Sequence, residues 1–304
     1  MTAAERIPLL EMRARIVAAI RSFFDNRGFV EVETAVRIAA PAPEEHIDCP
    51  VVPPPVVPET ARGTPTTYLR ASPELQMKKL LAAGMERIYQ IGSCFREGER
   101  GSRHNPEFTM LEWYRRGVGY LELRDDLAEL LAAVSDAAPG LRCMDSSAEV
   151  LAVRDAYRRL AGWDPWSGEW AQDRFDFDMA TKVEPAIKAM GGGVFLTDYP
   201  PAAASLALVS GEGEPYAERW EFYWDGIELA NCFSELCDAA EQRRRFEHAR
   251  ARRRELGEED YPLDEEFLCS LPAIGRAAGA ALGVDRLVMA LVGAGNIVDV
   301  RAPA

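Results

Sequence analysis

Arginines crowded into a loop, and carboxylates set into apolar runs, are the residues of this chain best placed to do chemistry. Residues 95–115 read FREGERGSRHNPEFTMLEWYR. A guanidinium fork matches phosphate oxygens in geometry and charge, so Arg96, Arg100, Arg103 and His104 are candidates for a phosphate clamp. A solvated loop with internal ion pairs to Glu97, Glu99 and Glu107 is the plain alternative, and charge count alone does not separate the two.

The alternating run that follows carries more information. With period two, Phe108, Met110, Glu112 and Tyr114 share one face of a strand, and Thr109, Leu111 and Trp113 share the other. A carboxylate and a phenol beside a phenylalanine would make an ammonium-binding floor, although a half-exposed sheet face reads the same way. A second pair, Glu228 and Glu235, lies in the apolar run IELANCFSEL. Such glutamates are costly to bury unless paired or bound to metal, and Mg²⁺ takes few carboxylates plus substrate phosphates. Glu228 and Glu235 are therefore the predicted metal ligands. Seven residues apart in a regular strand they face opposite sides, so sharing one ion requires a bulge or bend between them. Ion pairs to neighbouring arginines are the alternative. Finally, GAALGVDRLVMAL sets Asp285 and Arg286 at the mouth of a helix after closely spaced glycines. An arginine there can stack on an adenine and reach a phosphate, while a cap aspartate with an exposed arginine is the ordinary alternative.

Other chemistries lack their residues. The chain has no G-x-x-x-x-G-K-[ST], no H-E-x-x-H and no G-x-S-x-G, and its histidines stand only at 46, 104 and 248. Gly191, Gly192 and Gly193 precede a predicted strand and read as a turn. Cysteines at 49, 94, 143, 232, 237 and 269 form no C-x-x-C pair, so separate reduced thiols are expected. The 304 residues are 48% hydrophobic and 28% charged, with a net charge of −14. That is a soluble globular composition, poorly suited to gripping a large polyanion. No apolar stretch is long enough to span a bilayer and the first residues are charged, so a cytoplasmic protein is expected.

These residues need elements to hold them. Leu9, Met12, Ile16, Ile20 and Phe23 predict a helix over 6–27, ended by Gly28, and FVEVETAV predicts a strand after it. The proline-rich residues 41–65 predict an irregular connection. Ser72 and Pro73 start a helix that Gly84 ends. Strands are predicted at RIYQIGSCF and EFTMLEWYR, and a helical block over about 119–190 with interruptions near Gly162 and Pro165. Strands return at VFLTDY, SLALV, ERWEFYW and GIELANCFSEL. Asp238 and Glu241 form a capping box for an arginine-rich helix, and GAALGVDRLVMAL is a strand turning into a helix. Long antiparallel-looking strands flanked by helices imply one α+β domain over 1–304.

In that order, the segments resemble the three signature motifs of the class II aminoacyl-tRNA synthetases, in the lysyl branch. Helix 6–27 with FVEVET resembles motif 1, FRE…RHNPEFTMLEWY motif 2, and GVDRLVM motif 3, and the likeness covers nearly the whole chain. It implies an antiparallel β-sheet flanked by helices, dimeric through motif 1. Motif 1 begins almost at once, without the preceding anticodon-binding domain of the lysyl enzymes. The chain is therefore most similar to the stand-alone elongation factor P–(R)-β-lysine ligases, which implies no tRNA substrate. Such enzymes activate (R)-β-lysine with ATP and transfer it to a lysine side chain of elongation factor P. A truncated synthetase-like enzyme with another acceptor, or a catalytically silent regulatory paralogue, remain open alternatives.

The resemblance also implies roles. Arg96 holds the α-phosphate, and Arg286 and Phe108 cover the two faces of the adenine. Glu97, Gly98, His104, Asn105, Leu229 and Gly283 complete the ATP site, and Glu228 and Glu235 hold Mg²⁺. Ser72, Pro73, Glu74, Tyr114, Glu235 and Ala281 line the amino-acid pocket. Ser72 and Ala281 stand where the synthetases carry alanine and glycine, in keeping with a ligase and a β-amino acid, and Cys237 replaces their asparagine. Three departures bear on detail: Gly98 replaces a glutamate that contacts adenine, Ala35 replaces the motif 1 proline, and Cys232 replaces a glycine.

Overall fold

A computed structural model describes residues 2–53, 66–137, 141, 142, 144 and 148–303. Helix α1 (Ala3–Asp25) starts three residues before the predicted point, because Thr2 and Glu5 form a reciprocal cap on its first turn. After it come β1 (Val30–Glu31) and a small sheet of β2 (Arg37–Ile38), β3 (Val51–Val52) and β4 (Thr67–Leu69). Next are α2 (Glu74–Ala82), β5 (Arg87–Phe95), β6 (Glu107–Arg116) and α3 (Tyr120–Ala137). The middle of the chain holds β7 (Glu149–Ala152), α4 (Val153–Ala156), α5 (Gln172–Asp178) and α6 (Glu184–Met190). Widened helical turns at Tyr157–Ala161 and Met179–Val183 extend α4 and join α5 to α6. The last third comprises β8 (Gly193–Tyr199), β9 (Val209–Ser210), β10 (Tyr216–Trp224), β11 (Ile227–Ser234), α7 (Ala239–Leu256), α8 (Glu265–Ser270), β12 (Ala277–Gly283) and α9 (Val284–Val292).

The main sheet runs β1-β5-β6-β12-β11-β10-β8-β7, with β9 added to β10. It is antiparallel from β5 to β8 and parallel at both ends, where β1 pairs with β5 and β7 with β8. One face is packed by α1, α3 and α9, through a core that includes Ile16, Ile20, Phe24, Trp113, Leu127 and Leu287. The opposite face holds a cavity, flanked by α2, α7 and α8. Alternation along β6 explains the division: Leu111 and Trp113 join the core while Met110, Glu112 and Tyr114 line the cavity.

Four predicted elements take another form. Of FVEVETAV only Val30–Glu31 is strand. The chain then turns away because the buried Arg70 binds the Thr34 carbonyl at 2.9 Å and its hydroxyl at 2.7 Å, while Gln90 accepts from the Thr34 N–H at 2.9 Å. Of SLALV only Val209 is strand, since Ser205 takes a left-handed conformation with φ 49°. The block 119–190 is not helical throughout: β7 interrupts it and pairs with β8, covering that sheet edge. The capping box is half formed. Asp238 accepts from the N–H groups of Ala240 and Glu241, but Glu241 turns instead to Arg244 and Arg245. Within the proline-rich stretch β3 is regular, residues 54–65 lie outside the described residues, and so does Cys143. The other cysteines are free thiols.

Candidate active site

The cavity on the open sheet face has a volume of about 290 Å³. Strand β12 forms its floor with small residues, because larger side chains on both neighbouring strands lean across it. Gly279 is paired with Tyr114 on β6 and Phe233 on β11, and Ala281 with Glu112 and Asn231. A Cβ on Gly279 would overlap the Tyr114 ring and come within 2.6 Å of Glu235 Oε1.

Acidic groups gather at one end. Ser72 donates to Glu112 Oε1 at 2.5 Å, Tyr114 donates to Glu112 Oε2 at 2.9 Å, and the Glu74 N–H donates to the Ser72 hydroxyl at 3.0 Å. Burial, reinforced by Glu74, pushes the Glu112 carboxyl up to about 7. Burial likewise pushes Glu235 up to about 8, even though Lys78 opposes it. Glu235 is buried behind the cavity wall, against the Lys78 ammonium and beside Gly279. Buried carboxyls beside a phenol and an aromatic ring suit ammonium groups as partners.

Arginines gather at the other end. Arg96, Arg103, His104, Asn105, Phe108, Arg219 and Arg286 line the same cavity. The Arg96 guanidinium lies 5.2 Å from the Phe108 ring centroid and pairs with Glu99 at 3.4 Å, and its buried Nε has no partner among the described residues. Arg286 is anchored by the Glu228 carbonyl at 3.0 Å, the Glu228 carboxylate at 3.2 Å and the Arg103 carbonyl at 3.3 Å. Its Nη2 also donates to His104 Nε2 at 2.7 Å, so that ring nitrogen carries no proton. Burial and the Arg286 charge both lower the His104 pKa. Asp285, by contrast, is structural: it receives Arg13, Arg301 at 2.7 Å and the Thr109 N–H at 2.9 Å, which locks the start of α9 and aims Arg286 at the cavity.

The bulge demanded by the Glu228–Glu235 spacing exists. On β11, Ala230 pairs with Phe222 and Glu228 with Tyr223, leaving Leu229 extra and turning Glu228 to the cavity side with Asn231 and Phe233. The two glutamates nevertheless do not meet. Roughly 20 Å of strand at about 3.3 Å per residue separates their backbones. Glu228 pairs with Arg286 and Glu235 with Lys78. The carboxylate that faces Glu228 is Glu221 on β10: burial first, then the Glu221 charge, raises the Glu228 pKa. Glu221 accepts from Arg219 at 2.6 Å and Tyr223 at 2.7 Å. Two carboxylates that feel each other's charge beside the arginine end suit a hard divalent cation shared with phosphates. Among the described residues no group of three or more His, Cys, Asp or Glu residues could hold a metal by protein ligands alone.

Ser72, Glu74, Leu229, Ala281 and Gly283 also line the cavity, whereas Glu97, Gly98, Pro73 and Arg100 do not. Glu99 occupies the place expected of its neighbours. Gly98 has φ 77°, so it serves the loop's turn. Cys232 faces the core rather than the metal side. Sequence reasoning missed Glu44, Lys78, Arg219, Glu221, Asn231, Phe233 and Gly279. Alternation in ERWEFYW and IELANCFSEL already puts Arg219 with Glu221, and Asn231 with Phe233 and Glu235. Glu44 had no such signal. It reaches the cavity because the fully buried Arg253 of α7 binds the Glu44 carbonyl at 2.8 Å, the Ile47 carbonyl at 3.1 Å and the Asp48 carboxylate at 2.6 Å.

Comparison with known proteins identifies the family. Residues 3–303 match the family described as tRNA synthetases class II (D, K and N). A Proteus mirabilis protein named elongation factor P–(R)-β-lysine ligase is 39% identical, the alignment covering 95% of this chain and 93% of the relative. Proteins of the same name from Mannheimia succiniciproducens (37% identity, 97% and 94% covered) and Yersinia enterocolitica (39%, 95% and 93%) are similar over the same extent. The chain belongs to the class II tRNA synthetases of the D, K and N group, in the branch whose curated members are elongation factor P–(R)-β-lysine ligases.

Proposed function

We propose that this protein is an ATP-dependent ligase that activates a diamino acid, lysine or (R)-β-lysine, as an aminoacyl-adenylate and passes it to a lysine side chain of elongation factor P. One observation carries the reading: a carboxylate-walled pocket and an arginine-walled pocket are continuous in a single cavity on one sheet face. The first suits a substrate with two ammonium groups, and the second suits a triphosphate. The names of the relatives supply the acceptor.

In this reading the amino-acid carboxylate attacks the α-phosphorus of ATP in line, forming the acyl–phosphate bond as the bond to pyrophosphate breaks. Positioning and charge stabilisation do the work, and no covalent enzyme intermediate is required. Arg96 neutralises charge growing on the α-phosphate, while Phe108 and Arg286 sandwich the adenine. His104, as a neutral acceptor, holds the Arg286 fork in place. Asn105, Leu229 and Gly283 border the nucleotide. Ser72, Glu74, Glu112, Tyr114 and Ala281 shape the amino-acid end, with Glu235 behind it. Mg²⁺ would be held by Glu221 and Glu228, where it supplies charge neutralisation for the phosphates. The acceptor amine then attacks the activated carbonyl and AMP leaves.

We take the protein to work in the cytoplasm, as a homodimer through α1 and the segment after it, without a tRNA substrate. Among the described residues no helix is long and apolar enough to cross a membrane. The arginine-rich α7 is no free cationic face: Arg243, Arg244, Arg245, Arg250, Arg252 and Arg254 all pair with nearby carboxylates. The decisive experiment is ATP–pyrophosphate exchange with each lysine isomer, followed by mass analysis of co-incubated elongation factor P. Isomer-dependent exchange and a mass gain on the acceptor lysine are expected. Robust lysylation of tRNA, or nucleotide binding without exchange, would overturn the assignment.

A further inference from the structure

Lys78 has no role in the mechanism above, yet it sits at the heart of the acidic end. It lies one helical turn after Glu74 on α2, and its side chain is only 1% exposed. Its ammonium donates to Glu74 Oε1 at 2.5 Å, is ion-paired with Glu235 Oε2, and lies 5.1 Å from the centroid of the Phe233 ring. Glu74 and Phe233 line the cavity, and Glu235 Oε1 stands beside the lining residue Gly279, 2.6 Å from where a Cβ there would lie.

Stability alone is a poor reason for this arrangement. A buried ion pair loses hydration about as fast as it gains attraction, and an apolar side chain of similar volume serves packing equally well. Helix α2 already packs through Leu75, Met77 and Leu81. Charge counting offers a better reason. Glu74, Glu112 and Glu235 would together present three negative charges, and one resident cation reduces these to two. Two is the number that the ammonium groups of a diamino acid neutralise.

We propose that Lys78 is a positioning residue for the diamino acid: its ammonium ties Glu74 to Glu235 at fixed spacing and sets the acidic wall to the charge of a substrate with two ammonium groups. This rests on the functional reading above. The other groups facing the cluster are Glu44 from the segment before β3, Glu112 and Tyr114 on β6, and Cys232 and Cys237 on and after β11, with Arg116 facing Cys237. None of the cations among them replaces Lys78 at Glu235. Burial works against the Lys78 charge, but Glu235 and Glu74 outweigh it, so Lys78 stays protonated throughout the working range.

The test compares Lys78→Met and Lys78→Arg with wild type in ATP–pyrophosphate exchange across pH 6 to 9.5. In Lys78→Met Glu235 loses the cation that opposes its raised pKa, so it holds its proton more firmly and attracts an ammonium less well. The KM for the amino acid then rises about tenfold at pH 7 while the KM for ATP stays within about twofold, and the acid limb of kcat/KM moves up by about one pH unit. Lys78→Arg keeps the charge and leaves the acid limb where wild type has it. An unmoved limb with an unchanged amino-acid KM in Lys78→Met, or equal rises in both KM values, would overturn the proposal in favour of a structural ion pair. If Lys78→Met does not fold, ¹⁵N NMR of the wild-type side-chain ammoniums still decides. The protected Lys78 signal should shift on adding lysine but not on adding ATP, and an unmoved signal refutes the role. Wild-type exchange is the control that separates the two levels: its absence with every diamino acid would bring down the functional reading itself.

Discussion

Replacing Gly279 by alanine puts one methyl group where the cavity floor has no room for it. The new Cβ would overlap Cε1 and Cδ1 of Tyr114 and approach Glu235 Oε1 to 2.6 Å, whereas ordinary contact needs about 3.5 Å or more. Tyr114 cannot simply swing away, because it is 3% exposed and its hydroxyl is committed to Glu112 at 2.9 Å. Overpacking of this kind costs about 1–3 kcal/mol, and breaking the Tyr114–Glu112 bond adds about 1 kcal/mol. Expressed on the amino acid alone, about 2–4 kcal/mol is a fall of roughly 30- to 900-fold in kcat/KM. Pyrophosphate exchange at saturating ATP, run with each lysine isomer, measures it directly. Gly283→Ala is the matched control. Its Cβ would meet nothing closer than Arg286 Cδ at 3.7 Å, so the amino-acid KM should not change and any effect should fall on ATP. A Gly279→Ala protein with wild-type KM for lysine would refute the placement of the amino acid over β12.

Arg96→Ala should abolish exchange, at least a hundredfold for about 3 kcal/mol of lost charge stabilisation, with an unchanged melting temperature; near-normal exchange removes Arg96 from the mechanism. Glu221→Gln and Glu228→Gln should each raise the Mg²⁺ concentration for half-maximal exchange about tenfold without weakening lysine binding in calorimetry. If Glu235→Gln gave that Mg²⁺ signature instead, the Glu221–Glu228 pairing would be wrong. The folded-state pKa values of Glu112 and Glu235, raised to about 7 and about 8, stand above their ordinary carboxylate value. The folded protein therefore binds the extra protons, and this contribution to stability is fully present below about 4.5 and is lost progressively as pH rises from there to about 7 and about 8. Ligand-free melting temperatures should fall over that window. Binding of a diamino acid at pH 7 should release protons, seen as a buffer-dependent heat, and a buffer-independent heat would contradict it.

Much of this was legible along the chain. RIYQIGSCF is strand β5 over the predicted residues, and alternation in EFTMLEWYR puts Phe108, Met110, Glu112 and Tyr114 into the cavity as expected. Motif order pointed to the family that the comparisons then showed. Edges were less legible. FVEVETAV has the composition of a strand, but one buried arginine, Arg70, removes most of it from the sheet. Strand β7 hid inside a helical pattern because its pairing partner lies more than forty residues away.

By itself the sequence determined which residues share a face of each strand, since the pleat repeats every two residues whatever the neighbours are. It likewise pointed to carboxylates and arginines as the candidate chemical groups, since the chain has no H-E-x-x-H and no G-x-S-x-G. Only the tertiary structure decided which charge meets which. A bulge at Leu229 turned Glu228 to the side of Arg286, while the placement of α2 beside the residue that follows β11 gave Glu235 to Lys78. Lateral register depends on hydrogen bonds and packing between distant segments, and a charge separated from its partner by a strand's length of backbone cannot reach it, however suggestive the spacing in sequence.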